Sequence, residues 1–374
     1  MKIGYFSSTY FPTPDGVSHY LRDVKSELEN MGHEVHIFSF NGDRKEKNVH
    51  VTRSFPLPMY TQYSVPFFPI PVALYRKALE ERFDVIHIHD PFIGTLGYRV
   101  AKNQNIPIFS TFHTDFVRMQ ESINLPMKSR LFSFTWRYNL YLYRKCIKVF
   151  VPSGKSKRYL EEFGIHNTVE LPLFVDTEKF SQLSESENPG EKFIVQFLGR
   201  ITRDKGAFRL LDIASRIPES EGINFVISGT GPDEELLRKQ VKERGLENRI
   251  EITGYVNENR KLELLSRSSL FIYPASADTF GISALEALSF GVPTIVSKDF
   301  PLLEYSDGHS GLISLNFADI DQIAQYIIDL REKTDIYRGM RKSARDFACG
   351  KFSKESHCKA LIESYQKSIE SIYK

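Results

Sequence analysis

Residues 192–231 read KFIVQFLGRITRDKGAFRLLDIASRIPESEGINFVISGTG. The short apolar run Lys192–Leu198 is a strand. A charged turn, Gly199–Gly206, leads to a helix near Phe208–Ser215, and a second strand follows at Asn224–Ser228. This is a βαβ unit, and its repetition implies a parallel sheet covered by helices on both faces. The rhythm continues with a helix at Glu234–Arg244 and strands at Ile250–Thr253, Leu270–Tyr273 and Thr294–Val296.

Working outward, the first half carries the same rhythm. Ile3–Phe6, Val35–Phe40, Asp84–His89, Ile108–Phe112 and Lys148–Pro152 read as strands. Val17–Met31 is an amphipathic helix with Val17, Leu21, Val24 and Leu28 at helical spacing, ended by Gly32. A further helix lies at about Thr95–Asn103. The fold class is α/β, with two doubly wound domains expected to face each other across a cleft. The expected boundaries are 1–172 and 192–352, joined by a polar linker at 173–191. A last helix, in 353–374, is expected to cross back to the first domain. Ligands in such sheets bind beyond the carboxyl ends of the strands.

Composition narrows the function. The chain has 374 residues, 41% of them apolar, which suits two domains with real cores. A net charge of +2 does not point to nucleic acid. Cys146, Cys349 and Cys358 are too few and scattered for a disulfide framework or a zinc site. MKIGYFSSTYF at the N-terminus reads as a first strand and not a signal peptide, and no long apolar run spans a bilayer. The expectation is a cytoplasmic protein, peripheral on the inner face of the cytoplasmic membrane.

Six segments carry candidate chemistry. The first strand is followed by a turn that ends in Gly16, just before a helix; Gly16 lets backbone approach a ligand, and helix-start amides favour an anion. Gly229-Thr-Gly231-Pro232 also follows a strand, but it is only half of a dinucleotide fingerprint. Arg200 and Lys205 sit after the first strand of the second half, where two cations suit a diphosphate. Asp278-Thr-Phe280-Gly281-Ile282-Ser-Ala-Leu-Glu286 opens a helix whose first amides suit a phosphate. Glu286 lies within an apolar helix and needs a partner, either sugar hydroxyls or a neighbouring base. In the first half, His87-Ile-His89-Asp90 and Phe112-His113-Thr114-Asp115-Phe116 end strands with polar groups. His-x-His without further ligand spacing does not support a metal.

Residues 122–160 contain no Asp or Glu, although 47 acidic residues in 374 lead to roughly five in such a stretch. Lys128, Arg130, Arg137, Arg144 and Lys145 alternate there with Phe132, Phe134, Trp136, Tyr138, Tyr141 and Tyr143. Cations with aromatics on a helix suit an anionic membrane surface. The same composition also fits a core helix with a solvated basic face or, less well, single-stranded RNA. We place the membrane reading first.

Together these segments resemble the retaining GT-B glycosyltransferases of glycosyltransferase family 4, with their two Rossmann-like domains. The resemblance runs through Phe11-Pro-x-Pro-x-Gly-Val, Gly32-His-Glu-Val35, His87-Ile-His89-x-Pro91, His113-Thr-Asp115-Phe and Val151-Pro-Ser153. It continues through Gly199-Arg200-x5-Gly206, Gly229-Thr-Gly231-Pro and Phe280-Gly-x4-Glu286. Within the family the chain looks most like enzymes that glycosylate diacylglycerol or phosphoinositide lipids. The resemblance implies a nucleotide-diphosphate hexose as co-substrate, no metal or other cofactor, and a lipid or saccharide acceptor. It implies that Arg200 and Lys205 hold the donor diphosphate, helped by the amides of Gly281 and Ile282. Glu286 would bind the ribose, Asp278 and His113 would meet the transferred sugar, and Gly16 would line the junction of donor and acceptor. The implied catalytic set is thus His113, Asp278, Arg200 and Lys205. The donor-binding set is Gly16, Gly199, Gly231, Phe280, Gly281, Ile282 and Glu286. Lys128, Arg130, Trp136 and Arg137 are the candidates for acceptor or membrane contact. Two departures stand out: Asp15 where relatives often carry a second glycine, and Asp278 where many carry Glu.

The implied chemistry is hexose transfer with retention. Charge builds on the departing nucleoside diphosphate, and Arg200, Lys205 and helix-start amides would stabilise it. No residue stands out as a covalent nucleophile, so a glycosidase-like double displacement is not expected. A soluble saccharide acceptor, a nucleotide-sugar 2-epimerase and a non-catalytic nucleotide-sugar sensor are the competing readings.

Overall fold

The computed structural model describes residues 1–13, 15–52, 54–57, 60–66, 72–113, 128–177, 193–275 and 278–372. The chain forms two compact units, Met1–Pro172 with Lys354–Lys374, and Leu173–Ser353. The polar stretch Ser181–Glu191 lies outside the described residues.

In the first unit the strands are β1 (Lys2–Phe6), β2 (Glu34–Ser39), β3 (Val49–Val51), β4 (Ser54–Leu57), β5 (Tyr60–Pro66), β6 (Val85–Ile88), β7 (Ile108–Thr111), β8 (Lys148–Val151) and β9 (Thr168–Glu170). Seven form a parallel sheet in the order β3-β2-β1-β6-β7-β8-β9, while β4 and β5 pair as an antiparallel hairpin. Ile3, Tyr5 and Phe6 of β1 have no exposure, as a strand covered on both faces requires. The helices are α1 (Gly16–Asn30), α2 (Val72–Glu80), α3 (Pro91–Gln104), α4 (Lys128–Tyr143) and α5 (Gly154–Glu162). Carboxylates start two of them. Asp15 accepts from the amides of Val17 and Ser18 at α1, and Asp90 accepts from Phe92 and Ile93 at α3, where Pro91 follows it.

The second unit contains β10 (Phe193–Leu198), β11 (Ile223–Ser228), β12 (Ile250–Gly254), β13 (Leu270–Tyr273), β14 (Thr294–Ser297) and β15 (Leu312–Leu315). They form a six-stranded parallel sheet in the order β12-β11-β10-β13-β14-β15. Its helices are α6 (Phe208–Arg216), α7 (Glu234–Glu243), α8 (Glu258–Ser266), α9 (Ile282–Ser289), α10 (Ile320–Glu332) and α11 (Thr334–Lys351). The last helix, α12 (Lys354–Ile372), belongs to the first unit and packs on α1. In each sheet the strand order reverses once, between β1 and β6 and between β10 and β13. Those reversals are where doubly wound sheets take ligands.

Candidate active site

In the second unit, β10 and β13 end side by side at the reversal. After β10 the chain passes Gly199 and an exposed Arg200, then makes a tight turn, Arg203–Lys205. Gly206 follows at φ 78°, where a Cβ would sit 2.7 Å from Pro274. The missing side chain lets the turn lie against Pro274, just past the end of β13. Lys205 Nζ then lies 2.7 Å from Asp278 Oδ2, with both side chains mostly buried. The Tyr273 hydroxyl donates to the same Asp278 oxygen at 2.9 Å, and the Phe280 amide donates to Oδ1 at 3.0 Å. Burial alone would lower the Lys205 ammonium, but the Asp278 carboxylate overrides it and raises its pKa. Burial works against ionised Asp278 as well; Lys205, the Phe280 amide and the Tyr273 hydroxyl hold it below the usual carboxylate range. Arg200 makes no ion pair among the described residues and adds a second positive charge close enough to oppose that of Lys205.

Helix α9 starts beside this pair. Its N-cap, Gly281, takes φ 94° and offers no side chain to the first amides. A Cβ at Gly281 would collide with the Phe300 ring. The helix start is thus an uncapped cluster of N–H groups, the arrangement that attracts an anion. Phe280 departs from its expected part: its amide is committed to Asp278, and its ring is fully buried against Tyr305 and Phe352. Gly281 and Ile282 remain at the uncapped start. Glu286, one turn further on, is ion-paired to Lys261 Nζ of α8 at 2.6 Å, and Glu258 joins the same lysine at 3.0 Å. The neighbouring base anticipated for Glu286 is therefore present. Sequence reasoning missed Lys261, which is 25 residues from Glu286.

Gly229 and Gly231 have packing explanations of their own. The Gly199 carbonyl occupies the space that a Cβ on Gly229 would need, and the Ile201 carbonyl does the same at Gly231. The turns after β10 and β11 therefore touch backbone to backbone.

At the reversal in the first unit, β1 leads to Ser7, β6 to His89 and β7 to His113. His89 Nδ1 and His113 Nε2 are 2.9 Å apart. His87 stacks on His89 at 4.4 Å between ring centroids. His87 bonds the Tyr365 hydroxyl of α12 and, at 2.8 Å, Thr111. Tyr20 of α1 bonds His357 of α12 at 2.9 Å, and its ring meets His113 edge-on. Burial holds all four imidazoles neutral at ordinary pH: His87 and His89 far below the usual value, His113 down to about 3 and His357 to about 4. His89 Nε2 is buried without a partner among the described residues. An orphaned N–H costs more than an orphaned acceptor, so the favoured assignment protonates His89 at Nδ1. His89 then donates to His113, whose own proton resides on Nδ1. The continuation Thr114-Asp115-Phe116 lies outside the described residues.

Two expectations are corrected here. Of the α1 amides thought to favour an anion, those of Val17 and Ser18 are taken by Asp15, whose position before Gly16 makes it the N-cap. A Cβ placed on Gly16 would meet nothing within 4 Å among the described residues, so packing against them does not require a glycine there. Trp136, expected at an acceptor or membrane surface, is 5% exposed and packs with Phe112, Tyr159 and Phe163. The opposite face of α4 presents Phe134 (70% exposed), Arg137 and Tyr141 (45% exposed). Lys145 lies 5.3 Å above the Tyr141 ring. Lys128 and Arg130 fall in the first turn of α4, and their side chains lie outside the described residues. No helix among the described residues is long and apolar enough to cross a membrane.

Comparison with known proteins agrees with this arrangement. Residues 14–179 match Glycosyltransferase Family 4, and residues 178–347 match Glycosyl transferases group 1. The alpha-monoglucosyldiacylglycerol synthase of Acholeplasma laidlawii is 25% identical over 100% of this chain and 96% of its own length. The synthase of the same name from Streptococcus pneumoniae is 28% identical over 99% and 88%. The crystal structure of Anabaena HepE in complex with UDP-glucose superposes with a TM-score of 0.77 at 17% identity, over 98% of this chain and 100% of that one. With two ligand-poised sheet reversals and family matches running end to end, the chain belongs to the GT-B glycosyltransferases of the group 1 and family 4 type, and is a hexosyltransferase that uses a nucleotide sugar.

Proposed function

We propose that this enzyme transfers a hexose from a nucleoside diphosphate hexose, with retention, to a hydroxyl of a membrane glycerolipid, with diacylglycerol as the acceptor class. The observation that carries the lipid reading is the outward face of α4. Phe134, Arg137 and Tyr141 lie on one stripe of a helix whose other stripe is core, and Lys145, two residues past the helix end, sits over the Tyr141 ring. Exposed aromatics beside cations suit the interface of an anionic bilayer. The names of the glucosyldiacylglycerol synthase relatives support the same acceptor and a glucose donor, and the UDP-glucose in the HepE structure makes that nucleotide sugar the first donor to test. We propose the inner face of the cytoplasmic membrane as the site of action.

Bond cleavage puts charge on the departing diphosphate. Arg200, Lys205 and the Gly281 and Ile282 amides would receive that charge in a fixed polar site, which is the most effective form of stabilisation. We propose that no metal takes part. His113, neutral across the working pH range, would act as a hydrogen-bond donor through Nδ1 and not as a proton carrier. Glu286 would bind the ribose by exchanging part of its pairing with Lys261. Retention would follow from same-face attack, with the departing phosphate taking the acceptor proton.

The test offers radiolabelled UDP- and GDP-hexoses with liposomes containing diacylglycerol or phosphatidylinositol, against soluble saccharides, with chelator present. Label in the lipid fraction with α-anomeric product is the expected result. Label confined to soluble saccharide would overturn the lipid acceptor, and activity lost to chelator would overturn the metal-free mechanism.

A further inference from the structure

We propose that Tyr273 is a positioning residue of the diphosphate site, its hydroxyl holding the Asp278 carboxylate so that Lys205 is released to an incoming nucleoside diphosphate. The inference rests on the donor-site reading given above. Tyr273 is the last residue of β13, at the sheet reversal, and is 4% exposed. Its ring is confined by Phe197 at 5.9 Å, Phe271 at 6.2 Å and Phe300 at 5.8 Å between centroids. Leu270, Phe271 and Ile272 before it are all fully buried. A phenylalanine would fill this apolar collar equally well. A hydroxyl placed there is costly unless it is bonded, and its partner is Asp278.

Without ligand, Lys205 is committed to Asp278. A diphosphate must draw the ammonium partly away, and a buried carboxylate stripped of its counter-ion is strongly unfavourable. The Tyr273 O–H and the Phe280 N–H stay with Asp278 when Lys205 turns to phosphate. They offset that loss. Arg200, whose charge already opposes that of Lys205, favours the same exchange. Without the hydroxyl, Asp278 competes harder for Lys205 and the ligand binds more weakly.

The experiment titrates UDP and GDP calorimetrically into the full chain as wild type, Tyr273→Phe, Asp278→Asn and the double variant, with thermal melting of each. Tyr273→Phe is expected to weaken binding about tenfold with Asp278 in place, and less than about twofold in the Asp278→Asn background, since a hydrogen bond to a charged partner is lost only in the first. Equal loss in both backgrounds would make Tyr273 a packing residue and overturn the proposal, as would no loss in either. Replacing Tyr273 by 4-aminophenylalanine keeps a donor in the same shape. It is expected to bind within about threefold of wild type, and it carries the test if the Phe variant does not fold; a tenfold loss in it overturns the proposal. A wild type that binds neither UDP nor GDP would instead overturn the donor-site reading itself, and the wild-type titration alone reveals it.

Discussion

Two glycines separate fold from function at the scale of single residues. Gly281 is required by packing: its φ of 94° and the Phe300 ring, which fills the place of a Cβ, leave no room for a side chain. Gly281→Ala is expected to destabilise the second unit by about 1–3 kcal/mol, seen as a lower thermal midpoint. Gly16 has no described residue within reach of an added Cβ. Gly16→Ala is expected to leave the thermal midpoint within a degree or two while sugar transfer falls about tenfold, because only a ligand then feels the methyl. A lowered midpoint with intact transfer would reverse that assignment. Both glycines stood out in the sequence by their place before a helix. What was not legible was which of them the protein itself needs, because Phe300 is brought to Gly281 only by the fold. The pairs Lys205–Asp278 and Lys261–Glu286 were hidden for the same reason, being 73 and 25 residues apart.

At the scale of the element, α4 holds two stripes on one helix. Trp136, Leu140 and Tyr143 face the core, while Phe134, Arg137 and Tyr141 face outward. Composition alone marked the segment as basic and aromatic but merged the stripes, and so sent Trp136 to the wrong side. The spacing 136, 140, 143 against 134, 137, 141 was the unused signal. Phe134→Ser combined with Arg137→Glu is expected to cut sedimentation with anionic vesicles at least about fivefold and leave melting unchanged, since both side chains are exposed. Unaltered sedimentation would remove α4 from the membrane contact. The strands and main helices were legible because apolar runs and helical spacing are local. The hairpin β4–β5 and the edge strands β3, β9 and β15 were not delimited, being short and held mainly by their neighbours.

For the whole molecule, the buried imidazoles set a pH limit. His87, His89, His113 and His357 are neutral when folded and would take a proton near pH 6.5 when unfolded. Their depressed values mean that stability is full above about pH 6.5 and falls as the unfolded chain binds more protons below it. The slope is up to about 1.4 kcal/mol per pH unit for each histidine. Trp136 is the single tryptophan and lies in this unit, so its fluorescence reports the transition. The urea midpoint is expected to drop steadily from pH 7 to 5, and a flat midpoint would show that the cluster is hydrated. These histidines also tie α12 to β6, through His87 and Tyr365, which are 278 residues apart. That tie fixes an order of events on the ribosome. Translation delivers β1 well before α12, yet the sheet that β1 begins cannot be covered until α12 has left the exit tunnel, by which time Leu173–Ser353 is already synthesised and free to fold. Of the two units, the one begun first is the last to be completed, and a nascent chain stalled short of α12 would present an open hydrophobic sheet to chaperones.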